Sequence, residues 1–200
     1  PRTSNELLMQ KLSAISFTLN DEEELTLSGV TQRLKENLDR DKLTKSFYQR
    51  FSKERDAFEL FIQGIPDAAL KRWYVAVLVN RLMFIYFLQE KGFLGNGEHR
   101  YLQNHLKACQ SNYYQDFLCP LFFQGFALRE SERPASVKAV LGNVPYLNGG
   151  IFQKHQIEEW HGKTIHIPNK ALETLFSFFD QYRWHLDERP LRADNEINPD

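Results

Sequence analysis

The stretch from Trp73 to Leu88 constrains this chain more than any other, because it is apolar on nearly every face of a helix. A helix of that kind either crosses a bilayer or lies inside a globular core. The run falls short of the roughly 20 residues a membrane span needs, and Asn80 and Arg81 stand at its middle. A buried core helix over 67–91 is therefore expected, capped by Asp67 and ended by Lys91 and Gly92. Arg81 then needs a carboxylate, since an unpaired buried charge costs several kcal/mol. Glu54, on the apolar side of the preceding helical segment, is the expected partner.

That preceding segment, 41–62, is amphipathic. Leu43, Phe47, Phe51, Phe58, Phe61 and Ile62 share one face, while Lys42, Lys45, Gln49 and Lys53 lie opposite. Further helices are expected at 5–17, at 99–110, at 113–127 with a kink or break at Pro120, and from an Asn169 cap to about Tyr182. In the last of these Leu172, Leu175, Phe176 and Phe179 point inward. Residues 142–168 change character, with Pro145, Gly149, Gly150, Gly162 and Pro168 around alternating Ile165 and Ile167. Loop and one small hairpin are expected there. The fold class is thus mainly α: an irregular multi-helix bundle around a central buried helix. It divides into an N-terminal helical and acidic segment (1–40), a helical domain (41–182) and a trailing linker (183–200).

Composition supports a packed interior. Sixteen Phe, eight Tyr and three Trp among 200 residues supply an aromatic-rich core. Net charge is −1, so the whole chain carries no general attraction for polyanions, although its middle is basic and both ends are acidic. Cys109 and Cys119 alone cannot build a disulfide framework, and a soluble, cytoplasmic protein is expected. The chain starts at Pro1 and ends in a polar run at Asp200, which reads as a piece of something longer.

Chemistry-bearing patterns are sparse. Asn143-Val144-Pro145-Tyr146 is close to the Asn-Pro-Pro-Tyr loop that holds a flipped adenine, where an amide and a prolyl carbonyl accept from the exocyclic amine and an aromatic stacks on the base. Its second residue is Val, and no strand with a glycine-rich cofactor loop precedes it, so a plain turn is expected. Neither Asp-x-Lys nor Glu-x-Lys occurs, which removes the usual nuclease pairing. His161 and His166 have no evident third metal ligand. No catalytic, cofactor-binding or metal-binding residue is assigned.

Longer strings carry a resemblance. Thr44 to Tyr48, Phe58 to Ile65, Arg72-Trp73-Tyr74, Asn80 to Phe87, Lys91 to Leu94, Val144 to Phe152 and Tyr182 to Glu188 occur in that order. Together they resemble the helical region before the catalytic domain of large bacterial adenine-specific DNA methyltransferases. Those belong to type IIG-like restriction–modification and BREX-like phage-defence systems. The resemblance implies a parent that moves a methyl group from S-adenosylmethionine to adenine in DNA, with this piece a non-catalytic connector docked on the neighbouring methyltransferase domain. Contacts to DNA would then be weak, non-specific and made to phosphates by Lys42, Lys45, Lys53, Lys71 and Arg72. The rival reading is a protein-interaction scaffold without DNA contact. A self-sufficient enzyme is disfavoured by the missing motifs.

Overall fold

A computed structural model describes residues 47–147, 150–184 and 196–197. The expected helix at 5–17, the acidic segment 1–40, and Leu43, Lys42 and Lys45 lie outside the described residues. The chain forms two compact units, 1–51 and 52–200. Of the first, only the opening turn of helix α1 (47–61) is described, where Phe47 stacks on Phe51 with ring centroids 5.6 Å apart.

The protein is mainly helical, and its long element is α2 (Ala68–Glu90). Asp67 caps α2 by accepting from the Leu70 amide at 2.8 Å, and Gly92, at φ 71°, turns the chain away at the other end. The apolar run does not bury every face. Tyr74, Leu78, Leu82 and Ile85 are fully covered, but Ala69, Arg72, Trp73, Ala76 and Asn80 form an exposed stripe along the first three turns. Asn80 thus meets solvent while Arg81, one residue on, is buried, because successive residues are 100° apart around a helix. On α1, Phe58 is buried but Phe61 is exposed, so the expected inward face is narrower than its hydrophobic pattern.

Shorter elements surround α2. Helix α3 (Tyr101–Ala108) is followed by a helical run over 113–126 that is wound wide, with π-helical segments Tyr114–Leu118 and Leu121–Phe126. Pro120 sits at φ −56°, ψ −42°, in helical conformation between the two segments. Proline offers no amide hydrogen, and the wider bonding pattern passes around it: Cys119 donates to the Tyr114 carbonyl, five residues back. Helices α4 (Ala135–Leu141), α5 (Gln156–His161) and α6 (Asn169–Phe179) complete the set.

Two aromatic clusters hold α2. Phe152 packs against Phe84, Phe122 and Phe126 at 4.5–5.9 Å. Tyr86 and Phe87 pack against Phe179 and Trp184 at 5.0–5.4 Å. Trp184, placed by sequence in the trailing linker, is therefore part of the core and donates to the Phe179 carbonyl at 2.9 Å. It belongs to a two-residue strand, β1 (Arg183–Trp184), paired in parallel with β2 (Glu196–Ile197).

Two local expectations change. Ile165 and Ile167 are buried and His161 ends α5, but the extended stretch after α5 pairs with Gln63, through a bridge at His166, instead of folding into a hairpin with its neighbours. Asn169 does not cap α6. Its side chain accepts from the Tyr113 amide at 3.0 Å and donates to the Ser111 carbonyl at 2.9 Å, tying α6 to the start of the wide run.

Candidate functional site

Arg81 is 1% exposed, and it does not pair with Glu54. Its Nη1 meets Glu158 Oε1 at 2.6 Å, Nε donates to the Ile151 carbonyl and Nη2 to the Gln153 carbonyl, both at 2.6 Å. Phe122 and Phe123 flank the guanidinium, each ring centre 5.4 Å away. Glu54 is only half-buried on α1. The correction has a simple cause. Helical periodicity shows which side chains point inward but not which distant segment meets them, and Glu158 lies on a six-residue helix inside what reads as loop.

Glu158 is also fixed from its own side. Its Oε2 accepts from the His155 amide at 2.8 Å, a capping contact that starts α5. Its Oε1 accepts from the Tyr74 hydroxyl at 3.2 Å, and Tyr74 bonds in turn to the Tyr114 hydroxyl. Burial raises both tyrosines well above their ordinary value, so neither supplies a base at neutral pH. Burial also pushes the neighbouring Cys119 thiol up to about 11, which keeps it protonated and a poor nucleophile. This cluster is a sealed clamp. It pins 151–158 to α2.

Beside the clamp opens a cleft of about 910 Å³ between the 113–126 run and residues 154–163. Tyr114, Cys119 and Glu158 lie on its inner side, and Lys154, Trp160 and Lys163 line it from exposed positions. Sequence reasoning missed this place. The one available signal was His155 three residues before Glu158, since histidine stands where a capping box normally has Ser or Thr.

Of the expected phosphate-contacting residues, Lys53, Lys71 and Arg72 are among the described ones. Lys53 is exposed on α1, Arg72 is exposed and Lys71 half-buried in the first turns of α2. The Asn143–Tyr146 loop does not fit a base-holding role. Asn143 Nδ2 donates to Asn96 Oδ1 at 3.1 Å, and the Val144 carbonyl is taken by Arg133 Nη1 at 2.8 Å. Tyr146 lies under the Arg129 guanidinium, 5.8 Å from its ring centre. Among the described residues no strand leads through a glycine-rich turn into a helix. No cluster of three metal-ligating side chains occurs among them, and no helix among them is long and apolar enough to cross a membrane.

The clamp joins α2, the wide helical run and the 151–158 segment. Residues 30–183 match a family described as a domain of unknown function (DUF7814), and the chain belongs to that family. It is also 30% identical over 134 residues to a Methanocaldococcus jannaschii protein named "Putative type II restriction enzyme and methyltransferase RM.MjaORFECS2P". That similarity covers 65% of this chain but only 11% of the relative, so the chain corresponds to a small part of it. No solved structure gives a significant match.

Proposed function

We propose that this chain is a helical connector domain of a restriction–modification protein that methylates adenine in DNA, and that its work is positional. The carrying observation is the similarity to part of a much longer protein named as restriction enzyme and methyltransferase. The sealed Arg81–Glu158 clamp agrees with a rigid spacer, because every polar group in it is used for holding segments together. S-adenosylmethionine would be held by a separate domain of the parent. The connector would dock on that domain and add phosphate contacts from Lys42, Lys45, Lys53, Lys71 and Arg72, which position DNA without reading its sequence.

The test is fluorescence anisotropy of the full chain with two unrelated duplexes at two salt concentrations. Equal binding to both, with a dissociation constant of about 0.1 mM or somewhat tighter at physiological salt, supports the reading. Absence of duplex binding at low salt removes the DNA contact. It leaves the scaffold reading, which is favoured by one specific observation: Leu60 and Trp73 are 80% and 64% exposed and suit a protein partner.

A further inference from the structure

We propose that the cleft beside the clamp binds an unpaired nucleotide, with the base stacked on Trp160 and its phosphates held by Lys154 and Lys163. This rests on the proposed DNA role for the choice of nucleic acid, but on the cleft itself for the mode of binding.

The volume of about 910 Å³ lies within the range of small-molecule sites. Its inner side is electrically quiet. Glu158 is neutralised by Arg81 at 2.6 Å, and burial keeps the Cys119 thiol protonated. The outer lining is not quiet. Among the described residues neither Lys154 nor Lys163 has a carboxylate within ion-pair distance, and Glu159 is the one lining carboxylate outside the clamp. The cleft therefore favours an anion.

Trp160 adds a flat apolar surface. It is 59% exposed and has no aromatic ring packed against it among the described residues, whereas Phe123 across the cleft is already covered by Arg81 at 5.4 Å and Lys154 at 5.6 Å. The free stacking face is thus that of Trp160. Its segment is held rigidly from both ends. Arg81 fixes 151, 153 and 158, while Gln115 Nε2 donates to the Gly162 and Ile165 carbonyls at 2.8 and 2.9 Å. An exposed indole between two clamps is pre-organised and loses little freedom on binding. A flat ring joined to an anion is the chemistry of a nucleotide. The base must be unpaired, because in a duplex both of its faces are covered by neighbouring bases.

The experiment uses the full chain and labelled oligothymidylate of about 12 nucleotides, a duplex of equal length, and an abasic single strand carrying the same phosphates. Trp160→Leu, Trp160→Phe, Lys154→Gln/Lys163→Gln and, as a separate control, Lys53→Gln/Arg72→Gln are compared after thermal melting confirms that each is folded. Oligothymidylate should bind wild type about tenfold tighter than the abasic strand. Trp160→Leu should erase that difference, Trp160→Phe should keep much of it, and the paired lysine variant should weaken both single strands. Equal affinity for the two single strands, or binding unchanged by Trp160→Leu, overturns the proposal. Duplex binding lost only in Lys53→Gln/Arg72→Gln alongside such a result would leave the connector reading standing without the cleft. Trp160-dependent single-strand binding with no duplex binding would do the reverse.

Discussion

Arg81 and Glu158, separated by 77 positions in sequence, meet at 2.6 Å with side chains 1% and 2% exposed. Breaking a buried pair from one side leaves an uncompensated charge and costs about 3–5 kcal/mol. Arg81→Ala and Glu158→Ala should each lower the urea midpoint and the melting temperature by a large margin. Glu54→Ala should change stability by less than about 0.5 kcal/mol. Equal effects of Glu54→Ala and Glu158→Ala would show that the clamp is drawn to the wrong carboxylate.

Alkaline pH should unfold the protein cooperatively. Cys119 is raised from an ordinary 9.0 to about 11, and Tyr74 and Tyr113 are raised above their ordinary 10.0, all chiefly by burial. A group whose folded value exceeds its unfolded value binds more protons when folded. Its stabilising contribution is full below the unfolded value and is lost as pH rises toward the folded one. Urea midpoints should be flat near pH 8, decline from about 9 as Cys119 begins to count, and steepen above 10 as the tyrosines join. A midpoint that holds constant to pH 11 would contradict the burial of these groups.

Gly64 should not tolerate a side chain. It adopts φ +87°, and an added Cβ would run into the Thr164 backbone carbonyl, in the same contact where Thr164 Oγ1 donates to the Gly64 carbonyl at 2.9 Å. Positive φ alone costs an L-residue about 1–2 kcal/mol, and the clash adds to it. Gly64→Ala should therefore destabilise by more than about 2 kcal/mol in urea denaturation. Gly150→Ala, where nothing lies within 4 Å and φ is not positive, serves as the neutral comparison.

Duplex binding, where present, should follow counterion release. Each lysine or arginine removed from a phosphate-contacting face lowers the slope of log affinity against log salt by roughly one. Lys53→Gln and Arg72→Gln should each do so for both duplexes alike. A variant that weakens one duplex and spares the other would mean that the side chain reads bases.

Calorimetric titration with S-adenosylmethionine should give no heat of binding in the micromolar range. Saturable micromolar binding would require a cofactor loop that the described residues do not form, and would move the catalytic role into this chain.

The sequence by itself determined the elements whose causes are local. Asp67, the apolar run and Lys91-Gly92 specify α2 because capping and periodicity act within a few residues. Leu172, Leu175, Phe176 and Phe179 specify the inward face of α6 for the same reason. That Arg81 requires a carboxylate also follows from solvation alone. Only the tertiary structure decided which carboxylate it is. Glu158 reaches Arg81 because the 151–158 segment folds onto α2 and starts a short helix there, and a six-residue helix draws its stability from packing more than from its own propensity. The cleft is non-local in the same way. Trp160 and Lys163 come from one segment and Tyr114 and Cys119 from another, and Gln115 joins the two. No spacing within either segment encodes their meeting, because burial and charge pairing are satisfied between segments that only the folded chain brings together.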